Sequence, residues 1–485
     1  MTTERTFAQR AKIVILDEVN CVIAGLHPEH VKYFWEEYGI KTDHYFFTLA
    51  YKVGKWDGKM RFFSDTGKTY NFLLDEILPK IEALGYKLEL EDRRNGQLAT
   101  VPTIDKDYFS YITNPKTGEP WEYRPYQVEA TNTLIQEGMG IVIAGTGAGK
   151  TSMCACLCDA YAKQGLRTIV IVPSGSLILR TKRDFDLFKL DVGRYDGKQK
   201  DLNHTHVIST WQALKNAPHI LRDFQVLVVD ECHGAKAEVL KNLLTNHGNN
   251  VVYRFGLTAT MPTGKADRMA ISLTLGQVLY TIPAHELIEQ GFLSKLNISV
   301  MQLDDAAIIE PSLVEGFKVD YSLEMDYLNK LERRLSWIAE FLREKAENKK
   351  GNVLCLVNNI ATGKKLAKRI PEAVFVYGKD EDEDREEVYR LFETEDNLLV
   401  IATVHVAGVG IDIDRIFNLI YIDGGKSFIR TIQSIGRGLR KGRDKDYVDV
   451  IDICGNLVYS KKHLRKRLKY YKEAQYPCKK YSVQY

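Results

Sequence analysis

The sequence is short of several things, and each shortage narrows the reading. No apolar run approaches the ~18 residues that cross a bilayer. The N-terminus offers only the four-residue run Ile13–Leu16 and no signal-peptide core, so a cytoplasmic protein without a membrane partner is expected. Of eight cysteines none sits in a CxxC framework, which excludes a disulfide scaffold. Cys154, Cys156 and Cys158 do cluster, but successive pairs two apart point to different faces of a helix, so they are expected as small apolar helix residues rather than metal ligands. Repeats and low-complexity segments are lacking. Net charge is small as well, with 67 Lys/Arg against 64 Asp/Glu leaving +3.

What is present is a globular composition, 45% hydrophobic and 27% charged over 485 residues, enough for about three domains. The charge is uneven. Residues 461–485 hold nine Lys/Arg and one acid, a local +8, which leaves residues 1–460 at −5. A basic tail on a slightly acidic body raises the question of a polyanionic partner.

From about residue 140, short Val/Ile-rich runs alternate with helical stretches. The runs 140–144, 168–173, 206–210, 225–230 and 251–257 are too short for helices and fit buried parallel strands. A second series follows at 352–357, 373–377, 397–403, 418–423 and 447–453. Two successive doubly wound α/β units are the economical architecture, with the seam near 291–296. Residues 1–112 read as a small α+β module: a hairpin at 12–16 and 21–24, a helix over 27–38, strands around 46–53 and 59–63 flanking the turn GKWDG, and a helix over 72–84. The expected domains are therefore 1–112, 113–295, 296–460 and a basic helical tail, 461–485.

The strongest motif is Ala144-Gly145-Thr146-Gly147-Ala148-Gly149-Lys150-Thr151, directly after an apolar strand and before a helical stretch. That is the context of a phosphate-binding loop: glycines let backbone N–H groups curl around phosphate oxygens, and the helix N-terminus adds a favourable dipole. Lys150 would reach the β- and γ-phosphates and the Thr151 hydroxyl would ligate Mg²⁺. Ala144 stands where the usual pattern has its first glycine. Eighty residues on, the apolar strand 225–230 ends in Asp230-Glu231-Cys232-His233. Asp230 is placed to hold Mg²⁺ and Glu231 to polarise an attacking water. Nucleotide hydrolysis is the expected chemistry.

The order of segments across 121–455 resembles a superfamily 2 helicase, which implies two tandem RecA-like domains, ATP and Mg²⁺. By that resemblance Gln127 would read the adenine edge, with Arg124 or Tyr126 against the ring. Pro173, Ser174, Thr210 and Trp211 would grip the phosphodiester backbone, and Thr258-Ala-Thr260 would couple hydrolysis to that grip. In the second lobe, Tyr377, Gly378 and Thr403 would face nucleic acid, and Gly410 and Asp412 the nucleotide. Gln433, Arg437 and Arg440 would complete the catalytic set, the arginines adding charge to the γ-phosphate on lobe closure. Cys232-His233, Thr258 and Gln433 depart from the DEAD-box pattern of RNA helicases and favour DNA.

The ends sharpen the resemblance. Tyr51–Arg61, around GKWDG, is similar to the front domain of the UvsW family of phage helicases, and so are the helix after it and a closing strand near 87–90. That resemblance implies branched or forked DNA as substrate, Holliday-junction branch migration, fork regression and D-loop or R-loop unwinding, action in the host cytoplasm as a functional monomer, and single-strand-binding and recombination proteins as partners. The alternatives are a double-stranded DNA translocase of restriction-subunit type and a nucleotide-gated DNA clamp. From the residues themselves, Asp57-Gly58 is a good hairpin turn among Lys52, Lys55, Lys59, Arg61 and Lys68. Trp56 beside that charge is read either as a base-stacking wedge or as an anchor of the small core. In the tail, Leu464, Leu468 and Tyr471 form one apolar stripe, leaving Arg465 and Arg467 among the cations expected to face phosphates.

Overall fold

Strands rich in Val and Ile, too short to be anything else, build two seven-stranded sheets. The computed structural model describes residues 9–43, 45–94, 98–115, 117–233, 237–262, 264–348, 351–377, 390–391, 394–404, 415–425 and 447–485. The chain divides into two compact units, Met1–Ala144 with Gly149–Thr281, and Gly145–Ala148 with Ile282–Tyr485.

The first unit opens with β1 (Gln9–Ile15), β2 (Asn20–Ala24), β3 (Gly39–Lys41), β4 (Lys59–Arg61), β5 (Lys68–Tyr70) and β6 (Tyr86–Asp92). β1 and β2 form the expected antiparallel pair, and β6 closes the small sheet parallel to β1 in the order β5-β2-β1-β6. The helices Pro28–Glu37 and Leu74–Ala83 cover it. The segment 46–53 is not the strand its alternating aromatics suggest. It forms a 3-10 turn, Tyr45–Phe47, and a short helix, Leu49–Lys52, whose N-cap Thr48 accepts the Tyr51 N–H. β4 pairs with β3 instead, so 46–53 has no sheet partner and local capping decides its conformation.

This module is welded to the rest of the first unit. Its core of Ile13, Phe34, Phe63, Ile77 and Ile81 includes Ala270 and Leu273 from the helix Lys265–Leu275. Asn20 Nδ2 donates to the Thr245 carbonyl at 2.8 Å, and the Lys241 ammonium lies 4.8 Å from the Phe62 ring and 5.5 Å from Tyr70. The connecting stretch also belongs to the first large sheet's surroundings. Phe109 stacks on Phe188 at 4.7 Å, and Tyr123 OH donates to the Ser152 carbonyl at 2.8 Å.

That sheet contains β7 (Met139–Ala144), β8 (Thr168–Val172), β9 (Val192–Tyr195), β10 (His206–Thr210), β11 (Val226–Asp230), β12 (Tyr253–Thr258) and β13 (Val278–Ile282), in the order β13-β7-β12-β11-β8-β10-β9. The pairs from β7 to β9 are all parallel. The helix Lys150–Ala162 buries Cys154, Cys156 and Cys158 as apolar residues.

The second unit holds β14 (Lys295–Leu303), β15 (Asn352–Val357), β16 (Val374–Val376), β17 (Leu399–Thr403), β18 (Ile416–Ile422), β19 (Tyr447–Gly455) and β20 (Cys478–Val483), in the order β16-β17-β15-β18-β19-β14-β20. All six pairs are parallel. The tail is helical only over Val458–Glu473 and then returns as the edge strand β20 against β14. Seven of the eight cysteines are buried, and Cys478 on β20 is exposed.

Because Ala270 and Leu273 complete the N-terminal core, removing residues 1–94 uncovers an apolar helix face instead of releasing a clean motor core. The truncated chain should aggregate or melt several degrees lower in calorimetry and size-exclusion runs. A monodisperse 95–485 fragment with an unchanged Tm would contradict this.

Candidate nucleotide and nucleic-acid site

Parallel pairing sends the C-terminal ends of all strands to one edge of a sheet, and in the first sheet β7, β12 and β11 are neighbours. Their ends carry the phosphate loop, Thr258–Thr260 and Asp230–His233 respectively. Gly147 and Gly149 adopt φ of +86° and +81°. At Gly149 the left-handed φ strains any residue with a side chain, and a Cβ would also lie 2.3 Å from Gln127 Nε2. Gly145–Ala148 groups with the second unit, where the Gly145 N–H donates to the Ile282 carbonyl at 3.0 Å. Thr146 Oγ1 is buried and lacks a hydrogen-bond partner among the described residues, an orphan donor that a phosphate oxygen would satisfy.

Lys150, its side chain 9% exposed, donates to the Ala144 carbonyl at 3.2 Å and comes within 3.6 Å of Glu231 Oε1. Glu231 has φ of +48°, a left-handed conformation rare for a residue with a side chain and typical of strain held at functional sites. Asp230 Oδ1 accepts the Glu231 N–H at 2.9 Å. Burial, and then the charge of Glu231, push the Asp230 carboxyl up to about 6, opposed by Lys150. A divalent cation would favour its ionised form, so the donor set fits Mg²⁺ held together with Thr151 and phosphate oxygens. Among the described residues no group of three or more His, Cys, Asp or Glu forms a self-sufficient metal site.

His233 ties this edge together. Its Nδ1 lies 2.7 Å from Thr258 Oγ1 and 3.3 Å from Glu231 Oε2. Thr258 Oγ1 donates to the Thr260 carbonyl at 2.8 Å, which uses its one proton. The His233 Nδ1 is therefore assigned the hydrogen, and it donates to Thr258 while facing Glu231.

Gln127 is buried, its Oε1 accepting the Arg124 N–H at 2.9 Å, and Arg124 Nη1 donates to Tyr126 OH at 3.0 Å. The ends of β8 and β10 lie on the same edge. Gln212 Nε2 donates to the Pro173 carbonyl at 3.3 Å, which joins the Pro173-Ser174 and Thr210-Trp211 segments. Thr210 is buried and caps the helix Trp211–Asn216, while Trp211 packs on the core. In the second unit, Thr403 is buried at the end of β17, and Tyr377 stacks on Phe375 at 5.2 Å with the Lys364 ammonium 5.3 Å from its ring. Gly378, Gly410, Asp412, Gln433, Arg437 and Arg440 lie outside the described residues.

In the N-terminal module, Lys52 and Lys55 are exposed. Lys59 pairs with Glu36 at 2.9 Å, Arg61 pairs with Asp57 at 2.5 Å, and the Arg61 guanidinium lies 3.9 Å from the Trp35 ring centroid. Trp56 is half-buried and donates its indole N–H to the Lys59 carbonyl at 2.9 Å, so it braces the turn. Arg465 is exposed. The expectation for Arg467 is overturned: it is 2% exposed and grips Asp452 with Nε at 2.8 Å and Nη2 at 2.9 Å. It faces inward between Leu464 and Tyr471, where a buried strand acid needed a cation.

Sequence reasoning also missed a buried ion triad. Arg334, 1% exposed, reaches Asp305 at 3.1 Å and Asp423 at 2.7 Å. Asp423 follows β18 with φ of +48°, as Glu231 follows β11, and it borders a ≈ 250 Å³ cavity lined by Asn358, Asn359 and Thr362. The available signal was an acid closing an apolar run.

Residues 121–263 match the family model described as type III restriction enzyme, res subunit, and residues 333–442 match the helicase conserved C-terminal domain. The chain is 25% identical over 456 residues to the ATP-dependent DNA helicase uvsW of Enterobacteria phage T4, covering 89% of this chain and 88% of that one. It is 25% identical over 412 residues to the DNA 3′-5′ translocase XPB2 of Sulfurisphaera tokodaii, covering 76% and 89%. Among solved structures, the DNA-bound type ISP restriction-modification enzyme LlaBIII shares the fold at a TM-score of 0.57 and 14% identity, covering 84% of this chain and 36% of that one. Two RecA-like sheets and the two matched family regions are those of a helicase. The chain belongs to the superfamily 2 helicases and resembles the UvsW family within them.

Truncating Arg467 to Ala leaves Asp452 buried and unpaired, and should cost ~3–5 kcal/mol in urea unfolding. Arg465→Ala, on the exposed face, should stay within about 0.5 kcal/mol of wild type. Equal effects would refute the buried-pair assignment.

Proposed function

We propose that the chain is an ATP- and Mg²⁺-dependent DNA helicase that remodels branched DNA: junctions, forks and displacement loops. The observation that carries this is the shared sheet edge. The phosphate loop and Asp230–Glu231–His233 lie beside Thr258, and the Pro173 and Trp211 segments end on the same side. In this reading Lys150 neutralises phosphate charge, Thr151 and Asp230 hold Mg²⁺, and Glu231 orients and polarises the attacking water. His233 keeps Glu231 and Thr258 in register, so that water activation and the backbone-gripping segments respond together. ATP supplies the free energy of each closure. Support for DNA comes from the relatives' names and from the exposed cations Lys52, Lys55, Lys461, Lys462, Arg465 and Lys466.

The similarity of 121–263 to a restriction-enzyme subunit also favours a second reading, translocation on duplex DNA without strand separation. Turnover and strand displacement, measured together on a panel of branched, single-stranded and duplex DNA and RNA, distinguish the two. Branched-DNA helicase activity predicts displacement on junctions and forks; ATPase on duplex without displacement selects the translocase.

Two variants test the chemistry. Lys150→Ala should abolish turnover, and wild-type kcat in that variant would sink the phosphate-site assignment. Glu231→Gln should still bind ATP but hydrolyse it at least ~10²-fold more slowly; normal turnover would remove Glu231 as the base.

A further inference from the structure

The segment Tyr45–Val53 carries an exposed apolar surface that the ATP site does not use. Phe46, Phe47 and Leu49 are 48%, 67% and 75% exposed, and a cluster of large apolar side chains on the surface marks an interaction site. The rings are ordered against one another: Phe46 lies 4.4 Å from Phe47 and 5.6 Å from Tyr45, and Tyr45 meets Tyr51 edge-on at 4.7 Å. Beneath them sits the GKWDG turn. Gly58, at φ of +81°, lies so close to Tyr45 that a Cβ would be 2.5 Å from the ring. The turn is thus the seat of the aromatic cluster, and Trp56 stiffens that seat while Phe46 and Phe47 are presented outward.

Two further observations define the occupant. The exposed lysines Lys41, at the end of β3, Lys52, at the end of the short helix, and Lys55, in the turn after it, flank the segment, with the Lys41 ammonium 4.9 Å from the Tyr45 ring centroid. Lysine is depleted in protein–protein interfaces, whereas aromatic faces beside cations suit bases with their flanking phosphates. The residues leading into the segment also pack on the rest of the first unit. Asp43 sits against Gly264, where a Cβ would come within 2.8 Å of its carboxylate, at the start of the helix after the Thr258–Thr260 loop.

We propose that Phe46 and Phe47 form a stacking pin that takes an unpaired base at a strand junction, with the lysines on the adjoining phosphates. The proposal rests on the DNA-helicase reading. The test uses full-length protein carrying Phe46→Ala and Phe47→Ala, and a companion with Trp at both positions. Readouts are forked-duplex unwinding, ATPase on single-stranded DNA, and quenching of 2-aminopurine placed at the fork junction. The alanine pair should keep ATPase within about twofold, lose junction quenching and unwind about 10-fold more slowly, the stacking loss of one base. The tryptophan pair should restore both. Unwinding and quenching equal to wild type would overturn the pin and leave the patch to a protein partner; so would a parallel loss of ATPase and unwinding, which marks general damage. If wild type itself fails to unwind, the helicase reading fails, and nucleotide-free quenching still decides the pin: present in wild type and absent in the alanine pair supports it, identical in both overturns it.

Discussion

The approach of Lys150 to Glu231 at 3.6 Å is the contact on which the first lobe is organised. A buried ammonium needs a counter-charge, and strand order supplies it: β7 delivers the lysine and β11 the acid, with β12 between them. Lys150 and Glu231 are 81 residues apart in sequence and meet only through strand pairing. Each polar residue stands within a few positions of a strand end, and the parallel sheet converts sequence punctuation into spatial convergence. The left-handed backbone of Glu231 is a local cost of turning the chain there, and His233 and Thr258 hold the turned residue in place.

The two lobes treat their strand-end acids differently. Asp230 makes no direct ion pair among the described residues, and its carboxyl is pushed up by burial and by Glu231. Asp423, closing β18 with the same backbone sign as Glu231, is neutralised permanently by Arg334. A guanidinium thus compensates the strand-end acid of one lobe, while Asp230 in the other keeps a burial-raised carboxyl.

Legibility followed the strength of local patterning. Buried parallel strands such as β8 and β15 announce themselves as unbroken apolar runs, and the phosphate loop is read from its glycines and Lys150-Thr151 between a strand and a helix. Tyr45–Val53 misleads because its alternation is that of a strand, while the partner it would need, β4, pairs with Gly39–Lys41. β20 was hidden because Cys-Lys-Lys-Tyr is the composition of an edge strand guarded by charge, indistinguishable in sequence from a basic tail. Arg467 shows the limit most clearly. In a helix with cations on every side, composition does not say which one turns inward. Asp452, within the apolar run of β19, held that information, ~50 Å of extended chain away but adjacent once folded. Trp56 invited the functional reading because tryptophan is conspicuous, yet its indole N–H is spent on its own turn and the nearby phenylalanines are the ones presented.

The burial of seven cysteines and the exposure of Cys478 make the thiols a built-in gauge of structure. A thiol-selective reagent added to folded protein will report one equivalent, on the outer strand of the second sheet, and eight once both compact units have opened. Intermediate stoichiometries then identify which unit has opened, because Cys21, Cys154, Cys156, Cys158 and Cys232 lie in the first and Cys355 and Cys454 in the second. The order in which the two lobes lose structure under denaturant is thereby readable by mass, with no added probe.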